Sequence, residues 1–324
     1  MNRYHVFFTT QHTESCLEQC CFGSSVSNSL ANVKSGDTAF LFDGLKWAIF
    51  GPFEIVSDQQ CIDERPIYGM DKRGNIRYKN RVWFKKENAR ETLLSELYSI
   101  ERDPLKLSFL LNRYILATLI ANKQVNATTL TQTEGKYLVK KCLMLGNRIC
   151  SVHSKIPPNI EPVFPTSFLR RSSSEAGIEV LIINKRCQGY LLEFLNSFSK
   201  HAVCFNQFIL GFQRQADLLI DAQDRLALIE IKKAQNVRNP FEQLIEYCRY
   251  CVSSFRLYHR SNAVTLIDLV ALIESGSSYL VSDTVKSFTR RCAEASDVYN
   301  VDIIPHTVIF RVSNGLLETE LYVI

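Results

Sequence analysis

Two carboxylates and an amine are the side chains best placed to do chemistry in this sequence: Asp217, Glu230 and Lys232, all within QADLLIDAQDRLALIEIKKA. Read as a hairpin, the apolar runs Ala216–Ile220 and Leu226–Ile231 flank a polar turn from Asp221 to Arg225. A turn centred near Gln223 and Asp224 sets Asp217 across from Glu230, with Cβ atoms about 5 Å apart. Side chains alternate along a strand, so Glu230 and Lys232 share a face. Buried like charges repel unless something neutralises them. A divalent cation does so, and Asp and Glu oxygens suit Mg²⁺ or Mn²⁺. Lys232 would then orient a water or offset charge on a phosphorane. The alternative is a solvent-exposed charge cluster at a sheet edge, because ExK alone is common.

The next element adds two polar groups. After a turn at 236–240, Pro240 suits a helix start, and PFEQLIEYCRYCVSSF reads as a helix. Gln243 and Tyr247 lie one above the other on one face of it. Taken together, Asp217, Glu230-Ile231-Lys232 and Gln243–Tyr247 resemble the PD-(D/E)XK nuclease superfamily, in its RecB-like branch and closest to the NucS endonucleases. The resemblance covers about residues 173–254. It implies a restriction-endonuclease-like mixed sheet flanked by helices. It also implies a Mg²⁺ or Mn²⁺ ion on Asp217, Glu230 and the Ile231 carbonyl, with Lys232 assisting the nucleophile. Gln243 and Tyr247 would position the phosphate or Lys232. An acidic helix precedes the core in that family; here GYLLEFLNSF supplies Glu193, with Glu179 as competitor. Gln215-Ala216 stands where the family has Gly-Arg.

The N-terminal region has a resemblance of its own. Thr13-Glu14-Ser15-Cys16, Phe22-Gly23, Gly36-Asp37, Leu41-Phe42-Asp43 and Gly51-Pro52-Phe53 resemble a DCD domain, a relative of EVE, YTH and ASCH modules in the PUA-like superfamily. That implies a small β-barrel that binds RNA or holds a modified DNA base in an aromatic pocket. Trp47 and Trp83 are the two tryptophans, and a flipped base needs π-faces to offset its unstacking. Trp47, beside a turn, is the candidate wall, with Asp43 or Thr10 reading base edges. Core packing is the competing role for these aromatics. The stretch KRGNIRYKNRVWFKK holds seven basic residues and no acid, and alternation of Arg77, Lys79 and Arg81 would line a phosphate backbone. The competing role is a lysine-protected edge strand.

The elements that must carry these residues fall into an α/β pattern, α+β in the N-terminal part. Strands are expected at 3–9, 38–42 and 47–56, with a short helix at 15–21. Helical spacing follows at 89–100, 104–121 and 136–145. Residues 154–174 hold four prolines and a serine run and read as a linker. The expected organisation is therefore a recognition domain at 1–150, a linker at 151–174 and a nuclease domain at 175–324. The latter should run helix (175–195), hairpin, helix (241–258), strand (264–273), helix (282–298) and a closing hairpin at Asn314-Gly315.

A net charge of +5 permits a nucleic-acid partner without demanding one. No apolar run is long enough to span a bilayer, and no secretion signal is apparent, so a cytoplasmic protein with no membrane partner is expected. Eleven scattered cysteines read as reduced thiols, with Cys248 and Cys251 packed rather than ligating a cluster. The leading expectation is a two-domain, metal-dependent endodeoxyribonuclease of the modification-dependent kind, with a homodimer as the route to double-strand cuts. Its rivals are a repair nuclease on mismatched, branched or single-stranded DNA, an RNA-directed nuclease, and a non-catalytic nucleic-acid-binding protein.

Overall fold

The computed structural model describes residues 3–25, 30–58, 60–96, 127–149, 174–211, 214–222, 224–235, 238–253 and 264–323. The chain is mixed α/β and divides into two compact units, residues 1–165 and 166–324. The expected helix at 104–121 and nearly all of the expected linker lie outside the described residues.

In the N-terminal unit the elements run β1 (Tyr4–Thr9), α1 (Thr13–Gln19), β2 (Cys21–Ser24), β3 (Thr38–Asp43), β4 (Ala48–Ile55), β5 (Cys61–Ile62) and β6 (Asn80–Lys85). They continue with β7 (Arg90–Leu93), β8 (Ala127–Leu130), α2 (Gln132–Leu145) and β9 (Asn147–Arg148). The sheet order is β2-β6-β4-β3-β1-β8, with β5 on β6 and β7 on β4. β1 and β3 are parallel and the other named pairs are antiparallel. Phe7, Leu41, Phe50, Phe53, Trp83 and Phe84 pack into one core. Residues 90–93, expected to be helical, form β7 instead, because Arg90–Leu93 completes a ladder with Ala48–Gly51. Helix α2 starts as its sequence dictates: the Thr131 side chain accepts from Glu134 N, and the Glu134 carboxylate accepts from Thr131 N at 2.8 Å.

The C-terminal unit runs α3 (Glu175–Ile183), β10 (Cys187–Gly189), α4 (Tyr190–Asn196), β11 (Val203–Gly211), β12 (Arg214–Ala222) and β13 (Arg225–Lys232). It closes with α5 (Pro240–Ser253), β14 (Leu266–Glu274), α6 (Ser282–Tyr299), β15 (Asp302–Ser313) and β16 (Leu316–Leu321). Seven strands lie in the order β10-β16-β15-β14-β13-β12-β11. β13, β14 and β15 are parallel neighbours, while β11-β12-β13 and β15-β16 are antiparallel. Helices cover both faces, as a parallel centre requires. Leu226, Leu228, Leu269, Ala271 and Ile273 pack with α5 and α6. Ala227, Ile229, Ile231, Val270 and Leu272 pack with α3 and α4 on the other side. The single helix expected at 175–195 is two helices with β10 between them. Lys185 and Gly189 both have positive φ, and a Cβ on Gly189 would lie 2.0 Å from Thr319 O.

Candidate active site

The hairpin sets the chemistry. Leu218 pairs with Ile229, and the register runs to Ala222 opposite Arg225, so Asp217 falls next to the Glu230 position. The Asp217 carboxylate reaches across and accepts the Ile231 N–H at 2.8 Å. Glu230 and Lys232 alternate with Ile229 and Ile231, which belong to the opposite core, so both polar side chains face α5.

Glu230 and Lys232 are 2% and 5% exposed. Lys232 Nζ donates to Glu230 Oε1 at 2.7 Å. Glu230 Oε2 is buried and accepts no hydrogen bond among the described residues. Burial, then the neighbouring Asp217 charge, pushes the Glu230 carboxyl up to about 8, against the pull of Lys232. Burial also works against the Lys232 ammonium, yet Glu230 and Asp217 outweigh it and raise its pKa above the ordinary lysine value. Lys232 is therefore a fixed cation and a donor, not a proton acceptor at neutral pH.

Helix α5 is aimed by its cap: Asn239 Oδ1 accepts from Phe241 N at 2.9 Å and from Glu242 N at 3.4 Å. Gln243 Nε2 then donates to Tyr247 Oη at 3.0 Å, and Gln243 Oε1 is a second buried acceptor with no donor among the described residues. Burial foremost, followed by Glu230, raises the Tyr247 phenol, with Asp217 adding to the effect. Tyr247 stays protonated and lies within the field of both acids.

Glu193, the expected helix acid, lies away from the hairpin acids in the fold. That residue is exposed on α4, a helix packed on β10 and β16. Helix α3 carries two acids, Glu175 and Glu179. Glu179 is 1% exposed. Glu175, one turn earlier, adds its charge to the fields at Glu230 and Lys232 and accepts Lys233 N at 3.4 Å. Sequence reasoning passed over Glu175 because it adjoins the serine run assigned to the linker. Its signal was the preceding Ser174, whose hydroxyl caps α3 by accepting from Gly177 N at 3.1 Å.

A divalent cation fits this donor set. Two carboxylates and the Ile231 backbone offer hard oxygen ligands, and Glu230 Oε2 is a buried acceptor lacking any other partner. Among the described residues no group of three or more His, Cys, Asp or Glu side chains is arranged to hold a metal. Cys248 and Cys251 are buried in the core beneath α5, and burial pushes the Cys248 thiol up to about 12.

The N-terminal candidates divide sharply. Arg81 is fully buried: Nη1 lies 2.6 Å from Asp63 Oδ2 and Nη2 donates to Arg65 O at 2.6 Å. It cannot reach a phosphate. Arg77 and Lys79 precede β6, and Tyr78 between them has φ +51, so the three cations do not share a strand face. Arg77 is exposed and Lys79 half-buried. Trp83 is 3% exposed and belongs to the core. Asp43 is buried, with Oδ1 accepting from Leu45 N at 2.8 Å and Lys46 N at 2.9 Å, so it caps its own turn rather than reading a base. Trp47 stays 48% exposed at the end of that turn. Thr10 is exposed beside it, where Gly44 N donates to Thr9 O at 2.9 Å.

No protein-family model matches the chain, and no curated protein does. Among the described residues no helix is long and apolar enough to cross a membrane. A solved structure of Pyrococcus furiosus SfsA in complex with Ca²⁺ is similar over 48% of this chain at 12% identity, with a TM-score of 0.25. The match spans 63% of that protein.

Proposed function

We propose that the C-terminal unit is a metal-dependent endodeoxyribonuclease of the PD-(D/E)XK type and that the PUA-like N-terminal unit engages a feature of the same DNA, such as a modified base. The observation that carries the reading is Glu230 Oε2, a buried acceptor with no donor, beside Asp217 and on one face with Lys232.

Asp217, Glu230 and the Ile231 carbonyl would hold Mg²⁺ or Mn²⁺. When bound, such an ion lowers the pKa of a water and offsets charge on a phosphoryl oxygen. Glu230 must lose its proton to serve as ligand, so ligation strengthens as pH rises toward its raised pKa. Lys232, held charged by the two acids, donates toward the attacked phosphate and compensates its extra negative charge. Tyr247, also protonated, and the Gln243 amide orient the scissile group from α5. Glu175 and Glu179 of α3 take the place of Glu193 as helix acids. On the N-terminal unit, Trp47, Thr10, Arg77 and Lys79 remain accessible to DNA. Asp43, Arg81 and Trp83 are withdrawn from that role.

The test is a cleavage assay on unmodified, methylated, mismatched and single-stranded DNA, with Mg²⁺, with Mn²⁺ and with chelator. Wild type should cut only with the divalent ion, and Glu230→Ala and Lys232→Ala should not cut. Equal cutting by all three proteins would refute the assignment.

A further inference from the structure

Strand β13 ends at Lys232, and the chain must turn immediately toward α5. The last named backbone pairing to β12 is at Ile229, whereas pairing to β14 continues to Lys232. Side chains take over the open side and the exit. Asp217 on β12 accepts Ile231 N–H at 2.8 Å. Glu175 on α3 accepts Lys233 N–H at 3.4 Å. Glu274, the last residue of β14, accepts Ala234 N–H at 2.9 Å through Oε2 and pairs with Lys233 Nζ at 2.8 Å through Oε1. Three carboxylates from three elements thus hold the backbone on which Glu230 and Lys232 are mounted.

From this geometry we infer that Glu274 is a positioning residue for the site; the inference rests on the nuclease reading above. Its two oxygens fix residues 233 and 234 on the β14 side, so the Lys232 side chain leaves a backbone that cannot swing away from Glu230. Glu274 is set apart from the chemistry: both oxygens are already used, and it is 28% exposed at its side chain. A misplacement of about 1 Å at a reacting group costs on the order of a hundredfold in rate, so losing one of three anchors should lower turnover about tenfold, because the other two remain.

The test compares wild type, Glu274→Ala and Glu274→Gln by steady-state cleavage, melting temperature and amide exchange at Ala234. Glutamine keeps an acceptor for Ala234 N–H and loses the charge. Expected are a tenfold lower kcat with unchanged KM for Glu274→Ala, near-complete rescue by Glu274→Gln, and faster Ala234 exchange in the alanine variant alone. An unchanged kcat in Glu274→Ala, while wild type cuts, would overturn the inference and leave the nuclease reading standing. If wild type does not cut, that reading fails, and exchange decides the rest: unchanged Ala234 exchange in Glu274→Ala overturns the anchor as well.

Discussion

The two faces of the C-terminal sheet each bury a polar network, and the two are built on opposite terms. On the α3/α4 face, Asp268 is fully buried with both oxygens used: Oδ2 accepts from Arg225 Nε at 2.6 Å, and Oδ1 lies 2.8 Å from His306 Nε2. His306 Nδ1 in turn lies 2.6 Å from Tyr190 Oη. The imidazole thus links the Asp268 carboxylate to the Tyr190 hydroxyl. The Arg225 guanidinium packs 4.2 Å from the Phe198 ring centroid. Every strong group there has a partner, and the chain fastens α4 and the hairpin to the sheet. On the α5 face, Glu230 Oε2 and Gln243 Oε1 have none among the described residues. The first network serves stability. The second leaves acceptors unmet, as the proposed cation site requires, because an acceptor already satisfied has nothing to offer a cation.

The largest expected effect that separates the faces is on turnover. Glu230→Ala or Asp217→Ala should lower divalent-dependent cleavage by about a thousandfold or more, the scale on which single strong electrostatic groups act. Each also strands a partner, the Ile231 N–H or the buried Lys232 ammonium, so metal-free stability should fall by about 1–3 kcal/mol as well. Asp268→Ala should cost stability alone. Removing the buried acceptor of half-buried Arg225 and His306 costs about 1.5–3 kcal/mol, visible in chemical denaturation, while the cleavage rate per folded molecule stays within twofold.

pH should sharpen the contrast. Burial opposes the Asp268 carboxylate, but His306 and Arg225 outweigh it and hold its pKa below the usual range. Its stabilisation is present above the ordinary aspartate pKa and is lost as pH falls through the depressed folded value. Glu230 has its folded pKa raised to about 8, so its contribution is present below the ordinary glutamate pKa and is lost as pH rises toward 8. Metal-free wild type should therefore lose stability relative to Glu230→Gln between pH 5 and about 8. A wild-type curve that rises relative to the glutamine variant there would contradict the assigned shift. The smallest effect is expected at Glu193→Ala, an exposed site where both stability and turnover should stay near wild type, within about 0.5 kcal/mol.

The sequence carried the active hairpin well, because a two-residue alternation and a short polar turn fix register locally. Leu218 opposite Ile229 follows from that pattern alone. The closing hairpin was equally legible, with Asn314 and Gly315 at φ +51 and +73 as a tight turn requires. What escaped was nonlocal. Arg81 looked outward-facing by alternation, yet Asp63, from a distant loop, draws it inside. The break between α3 and α4 depends on Gly189 pressing against Thr319, a residue of β16. Glu175 and Glu274 gain their roles from where three elements end, which periodicity cannot convey. Asp43 is different: an Asp-Gly turn already signals a carboxylate bonded to its own backbone.

In the proposed site the unmet acceptors on the α5 face belong to a divalent cation. Calorimetric titration of Mn²⁺ into wild type and Glu230→Gln at pH 8 tests it without reference to any substrate. Wild type should bind saturably and release protons as Glu230 ionises, and the glutamine variant should give no such isotherm. Identical isotherms for the two proteins, or no binding by wild type, would contradict it.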